Sequence, residues 1–399
     1  MTVSSDPSIT LVSEEERETR RHLEEIAADA FPTPQDYFLS LSSHTLAARI
    51  DGELVGGVVL DIVDGSAGDV GIVSWLFTSP AAQGRGIGDR LVDAALDYLL
   101  EHGCRAVVTV VQWLNTASSV LFARREFSRI SSRTLVERIG LKQSGRVWLE
   151  TFHFVNVGCD LWYLDLSDDA MAESAERSPA TSTNATDRAD ESDETVSSRV
   201  RQQRSHLQTI RRFSGMILFH VLLLAIVVGG LDVRTWDLTT LGTGAMAGVL
   251  LSLRWLPYGA FALYNSERWA FWNWENVYPF AGIIAVFGGF LPVPGHLTLE
   301  QSEWDYRNTL SVLGPAAAVW GLLVLGLLLG SISVSEWLES AAVDSLIITL
   351  TVFVVVDLWV IVWPFDSYNG RIIYDWNRAV WAVLSGAAAL ILLLHYIIG

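Results

Sequence analysis

The residues best suited to chemistry run Leu76-Phe77-Thr78-Ser79-Pro80-Ala81-Ala82-Gln83-Gly84-Arg85-Gly86-Ile87-Gly88. A β-rich run ends inside this segment and a helical pattern starts at its far end, so the glycines sit on a strand-to-helix turn. Glycine lets the main chain turn tightly and lets a ligand approach the backbone. The first amides of the helix have no acceptor within it, and its dipole favours negative charge there. The segment therefore reads as a pyrophosphate cradle. No Gly-Lys-Ser/Thr follows, which excludes a Walker loop; Lys142 is the single lysine of the chain. The spacing also departs from the dinucleotide fingerprint.

The elements that must position this loop read as a mixed α/β domain over residues 1–166, a central sheet with flanking helices. Ser13 and Glu16 form a capping-box pattern for a helix over 14–31. Two β-rich runs over 44–63 flank Asp51-Gly52, a hairpin turn signal. A strand over 70–77, a helix over 87–101 ended by Gly103, and a buried strand over 106–112 follow. A shorter helix over 116–127 and a closing pair of strands over 147–155 and 160–166 complete the expected order.

Gln83-x-x-Gly86-x-Gly88, after a strand ending near Pro80, resembles the acyl-CoA motif of the GNAT acyltransferase superfamily. Asn115, Leu121-Phe122 and Phe127 resemble the second motif of that family, and the resemblance covers roughly residues 8–166. It implies that the backbone of Gln83, Gly84, Arg85, Gly86, Ile87 and Gly88 holds the pyrophosphate of acetyl-CoA. It implies that Leu76, Phe77 and Thr78 pair with the pantetheine arm as an added strand would. Asn115 is implied to contact the cofactor or the amine side. Phe122 takes the cofactor-side position where the family has an acidic tyrosine, and Glu126 stands where it has glycine. In such a reaction an amine attacks the thioester, a base takes a proton and an acid helps the thiolate leave. For the base, Asp69 is the nearest carboxylate and Ser74 lies closer to the expected depth. Tyr163, His153 and Asp160 on the closing strands are further alternatives, though each reads first as a structural residue.

Charge and apolarity divide along the chain. The sequence holds 45 acidic against 27 basic residues, a formal charge of −18, yet half its 399 residues are hydrophobic. A disordered acidic chain lacks that apolar content, and an acidic surface repels nucleic-acid phosphate. An acidic, arginine-rich chain with one lysine resembles proteins of salt-loving archaea. Cys104 and Cys159 are too few for a disulfide framework and fit a reducing cytoplasm. The acidic first thirty residues do not resemble a signal peptide.

Residues 167–212 read as an acidic disordered linker that ends in a basic patch, Arg199, Arg201, Arg204, Arg211 and Arg212. An all-α membrane domain over 213–399 is then expected, with six spans near 213–231, 242–263, 273–292, 309–331, 343–363 and 378–398. Arg254, Pro257 and Glu275 interrupt the second and third. The basic patch would hold its side, and the acyltransferase domain, in the cytoplasm, and six crossings would return the far end there. Twelve of the 16 tryptophans lie beyond residue 231, as an aromatic belt requires.

Leu313-Gly314-Pro315, the segment from Trp272 to Gly295, and Pro364-Phe365-Asp366-Ser367-Tyr368-Asn369-Gly370 resemble parts of the site-2 protease family of intramembrane zinc proteases. The resemblance puts Arg254–Tyr258 where the family has His-Glu-x-x-His, and Asn369 where it has a ligating aspartate. It therefore implies a degenerate relative with no metal. Arg254, Asp357, His220, Asp344 and Glu275 are polar groups at membrane depth, with Arg254–Asp357 the candidate pair. Gly244/Gly248 and Gly326/Gly330 read as helix-packing positions. Together these features predict a membrane-tethered N-acetyltransferase acting from acetyl-CoA on a primary amine of a protein or small molecule. The competing expectation is a non-catalytic acyl-CoA sensor whose membrane half binds a partner.

Overall fold

Asp51 and Gly52 both take positive φ, 52° and 87°, the pairing that a two-residue hairpin turn requires. They join the second and third strands of a seven-stranded sheet in a computed structural model that describes residues 7–13, 15–31, 35–66, 68–167, 206–299, 305–338, 340–362, 365 and 367–398. In chain order this unit comprises β1 (Ser8–Leu11), α1 (Arg17–Ala30), β2 (His44–Ile50), β3 (Glu53–Val63), β4 (Asp69–Thr78), α2 (Ile87–Glu101), β5 (Cys104–Gln112), α3 (Thr116–Ala123), β6 (Ser128–Ile130), α4 (Ser132–Ile139), α5 (Leu141–Glu150) and β7 (Cys159–Asp165). The spatial order is β1-β2-β3-β4-β5-β7-β6, and β4–β5 is the parallel pair.

Side-chain alternation along the strands divides the core between two faces. On one, Leu23, Ile26 and Ala27 of α1 pack against Ala47, Val59 and Phe77. Leu135, Ile139 and Val147 of α4 and α5 pack against Val63, Ile72 and Val108. The opposite face takes α2, whose Leu99 lies so close to Gly71 that a Cβ there would come within 2.6 Å of it. Leu91 and Leu99 are fully buried, each contributing roughly 1.5–3 kcal/mol.

Two expectations for this unit are corrected. Residues 147–155 are not a strand: Leu135, Ile139, Gln143 and Val147 recur at helical spacing and form one buried stripe across α4 and α5. The strand that closes the sheet on β7 is the three-residue β6, paired Ser128–Tyr163 to Ile130–Leu161. The helix expected over 116–127 stops at Ala123, because Glu126 turns into the left-handed region at φ 66°.

Phe154–Gly158 and the chain beyond residue 200 form a second unit. Its elements are α6 (His206–Gly229), α7 (Leu238–Tyr264), β8 (Trp269–Trp272), α8 (Tyr278–Val286), β9 (His296–Leu299), α9 (Tyr306–Ser335), α10 (Ala341–Phe353) with a π-helical extension Val354–Trp359, α11 (Asn369–Trp376) and α12 (Arg378–Leu393). Among the described residues five helices are long and apolar enough to cross a membrane. The third expected span is the one that fails. Pro279 sits in the first turn of α8, and Gly288 at φ 81° follows its end, leaving a helix of nine residues. That is about 13 Å, far short of a bilayer core of about 30 Å. The second expected span holds despite Pro257, as one 27-residue helix. The linker over 168–205, with Arg199, Arg201 and Arg204, lies outside the described residues, as do Pro364 and Asp366.

Several polar side chains buried in this unit bond to one another. Arg254 donates from Nε and Nη2 to Asp357 at 3.3 and 3.1 Å, and from Nη2 to Asn369 Oδ1 at 2.9 Å. Trp320 Nε1 and Asn369 Nδ2 each donate to Asp357 Oδ2 at 2.9 Å, and the Tyr258 hydroxyl donates to Asn369 Oδ1. Arg254 and Tyr258, far from Asn369 in sequence, thus meet it in one hydrogen-bonded group. His220 donates from Nδ1 to the Met216 carbonyl at 2.7 Å and accepts the Val293 amide at Nε2 at 2.8 Å, which defines one neutral tautomer. Gly244 lets α7 approach α6, since a Cβ would come within 2.6 Å of the Val221 carbonyl. Gly326 and Gly330 face open space and pack against nothing.

Candidate active site

β4 and β5 run side by side only part of their length. Their register extends from Asp69–Cys104 to Val73–Thr109, where the Thr109 hydroxyl donates to the Val73 carbonyl at 2.9 Å. Beyond that rung β5 continues with β7, from Val110–Leu161 to Gln112–Cys159, while β4 continues with β3 alone. A fork therefore opens between the strands, with Trp75–Thr78 along one side. Gly56 and Gly57 hold the outer side of that arm close: a Cβ on Gly56 would come within 2.5 Å of the Phe77 carbonyl.

Ser74 is the first residue past the apex. The rungs Leu60–Val73 and Val59–Trp75 leave it without a partner on β3, so it forms a bulge. The extra residue turns Ser74 and Trp75 to the same side, the face that carries α1. Trp75 packs with the α1 core there, and the Ser74 hydroxyl donates to Asp61 Oδ2 at 2.5 Å.

At the open end of the fork, the Ser79 amide adds one more bond to the Val55 carbonyl at 2.8 Å, and Pro80–Ala82 form a 3₁₀ turn. Gln83 is extended, and Gly84 and Gly86 take φ of 75° and 73°. A Cβ on either glycine would meet nothing within 4 Å, so this stretch of main chain borders open space. Gly86 is the N-cap of α2 and no side chain caps it. The first-turn amides of α2 are therefore without an acceptor in the helix. Gly88 serves packing instead: a Cβ would lie 3.2 Å from Leu121 Cδ1 of α3. Arg125 ties α3 to the same helix turn, donating to Asp93 at 2.6 Å, the Asp89 carbonyl at 2.8 Å and the Leu121 carbonyl at 2.9 Å. Arg85 is exposed beside the glycines, and Ile87 anchors the turn in the core.

The remaining predicted residues separate. Asn115 follows β5 at the same end of the sheet as the glycine loop, is exposed, and caps α3 by accepting the Ser118 amide at 3.1 Å. Phe122 faces inward, 2% exposed, with its ring edge-on to Phe127. Asp69 sits at the far end of β4, roughly 30 Å of strand from Thr78, and accepts the Gly65 amide at 3.1 Å in a turn. The structure therefore does not bring Asp69 to Ser74 or to the loop. Asp160 pairs with Arg129 at 3.4 Å, Tyr163 lies under the Arg138 guanidinium, and His153 is in a turn after α5 rather than on a strand. Burial, with the Asp69 carboxylate nearby, pushes the Cys104 thiol up to about 11, so it stays protonated at neutral pH.

Sequence reasoning missed Asp61. Its signal was a lone carboxylate inside the apolar run Val58-Val59-Leu60-Asp61-Ile62-Val63, although nothing in that run tied it to Ser74.

Residues 10–127 match the acetyltransferase (GNAT) family. An uncharacterized N-acetyltransferase of Archaeoglobus fulgidus is 32% identical over 122 residues, which cover 29% of this chain and 83% of that protein. The chain belongs to the GNAT acetyltransferase family. An L-2,4-diaminobutyric acid acetyltransferase of Nocardia farcinica is 31% identical over 96 residues, 23% of this chain, and the match spans about half, 49%, of that enzyme. The structure of N-acetylglutamate synthase from Neisseria gonorrhoeae complexed with coenzyme A and N-acetyl-glutamate aligns at 21% identity with a TM-score of 0.29, covering 41% of this chain and 36% of that one. Among the described residues no three His, Cys, Asp or Glu side chains gather as a metal-holding group.

Proposed function

We propose that the GNAT unit transfers an acetyl group from acetyl-CoA to a primary amine. The observation that carries this reading is the fork: an open strand edge at Leu76, Phe77 and Thr78 leads directly to the unshielded main chain of Gln83–Gly88. The edge offers hydrogen bonds to an extended pantetheine arm, and the loop offers amides and the positive end of α2 to a pyrophosphate. Arg85 adds a cation beside it. Asn115 reaches the same end of the sheet from β5. An amine acceptor agrees with the name of the Nocardia relative, which describes acetylation of a diamino acid.

Five long apolar helices support anchorage in a bilayer, with Arg211 and Arg212 at the start of the first favouring a cytoplasmic GNAT unit. The meeting of Arg254, Tyr258 and Asn369 supports a helical unit related to intramembrane proteases, with an ion pair where their metal sits. One observation favours acyl-CoA sensing without turnover: Phe122 has no proton to give a leaving thiolate.

Thiol release from acetyl-CoA by the full-length protein in detergent decides between the two. Peptides with a free α-amine, lysine-rich proteins and polyamines serve as acceptors. Turnover with any of them supports the enzyme, and coenzyme A binding without turnover supports the sensor. Gly86→Asp abolishes binding in both cases, because its carboxylate would enter the phosphate cradle; unchanged affinity would refute this placement of the site.

A further inference from the structure

Three features converge on Ser74. It occupies the bulge of β4, it is the first residue beyond the last β4–β5 rung, and its hydroxyl is already engaged by a carboxylate. From Thr78 back to Ser74 is four residues, about 13 Å of strand. An arm paired along Leu76–Thr78, with its pyrophosphate on the glycine loop, therefore brings its reacting end to the apex where Ser74 lies. An ordinary strand would alternate Ser74 and Trp75 across the sheet; the bulge puts both on the α1 face, so one side of the apex carries the only hydroxyl–carboxylate pair that the described residues place at the fork.

Resting on the acetyl-transfer reading, we infer that Ser74 Oγ accepts the proton of the incoming amine and that Asp61 positions and drains it. The amine nitrogen bonds to the thioester carbonyl carbon and the carbon–sulfur bond breaks, leaving a thiolate. The nitrogen gives one proton to Ser74 Oγ as the hydroxyl proton passes to Asp61 Oδ2. Asp61 returns that proton to bulk water, and the thiolate takes one from water, so amine and thioester become amide and thiol. Ser74 touches the reacting nitrogen and is the catalytic residue; Asp61 acts through it. The acceptor then enters from the α1 face of the sheet.

The test compares full-length wild type with Asp61→Asn, Asp61→Glu, Ser74→Ala and the double variant Ser74→Ala/Asp61→Asn. Acetyl-CoA is the donor, and the best of spermidine, a lysine peptide and a free-α-amine peptide is the acceptor. Asp61→Asn keeps a hydrogen-bond acceptor for Ser74 and nearly the same volume, so its fold is kept. It should lower kcat about 10²-fold or more, the scale of general-base catalysis, with KM for acetyl-CoA within about 2-fold of wild type. Asp61→Glu should recover part of that loss, and the double variant should be no worse than Ser74→Ala, because the pair acts as a unit. Asp61→Asn with kcat within about 2-fold of wild type, a loss confined to KM, or independent losses in the double variant would each overturn the inference. A wild-type protein inactive with every amine would instead overturn the transfer reading beneath it.

Discussion

The guanidinium of Arg254 holds the Asp357 carboxylate through two donors, Nε at 3.3 Å and Nη2 at 3.1 Å, with both side chains no more than 3% exposed. Asp357 lies in the π-helical extension of α10 and Arg254 in the middle of α7, 103 residues apart in sequence. Trp320 of α9 and Asn369 of α11 complete the carboxylate's shell. One ion pair therefore ties four helical segments together, and it does so around a π turn, a conformation found mostly where a helix is interrupted for a reason.

Removing one partner leaves the other charge buried and uncompensated, at a cost of about 3–5 kcal/mol. Asp357→Leu and Arg254→Met should each lower the thermal midpoint of the helical unit in detergent. The double variant should recover most of the loss, since well-packed apolar pairs often replace buried ion pairs at little cost. A double variant as unstable as the sum of the singles would show that the Trp320 and Asn369 bonds, more than charge balance, carry the stability.

Glu126 holds φ 66° between α3 and β6, where a residue with a Cβ is strained by about 1–2 kcal/mol. Glu126→Gly should relieve this and raise stability by about 0.5–1 kcal/mol after the added freedom of the unfolded glycine is counted. Glu126→Ala keeps the strain and should give no gain. Unfolding midpoints of the two variants against wild type check the prediction.

Burial pushes His153 down to about 4. A base whose folded pKa lies below its unfolded value is bound less readily by protons in the native state, so stability is full above about pH 6.5 and falls with acidification towards pH 4. At pH 5 the loss is about 2 kcal/mol. His153→Gln should remove this part of the pH dependence: between pH 7 and 5 its midpoint should fall less than that of wild type. Equal falls would show that His153 titrates normally.

The glycine loop was legible because its residue types state their job: Gln83, Gly86 and Gly88 mark a strand-to-helix turn whatever surrounds it. The hairpin at Asp51-Gly52 and the span of α2 were legible for the same reason, a local rule with a local cause. Asp61 was not. A carboxylate inside an apolar run becomes meaningful only when a bulge on the neighbouring strand turns Ser74 towards it, and a one-residue register shift leaves no mark on composition. Asp69 misled because closeness in sequence to the loop's strand is not closeness in space; a strand carries its two ends apart. The strand expected over 147–155 failed through a mistaken period, since Gly140 interrupts the stripe Leu135, Ile139, Gln143, Val147 and splits it between two short helices. The third span failed because Pro279 and Gly288 cut an apolar run that hydropathy alone joins.

β7 comes last in the sequence of the GNAT unit, yet it lies between β5 and β6 in the sheet. A fragment ending before Cys159 would therefore leave one edge of β5 bare. That row of unpaired amides and carbonyls would invite pairing with a second copy, so a unit trimmed there should self-associate.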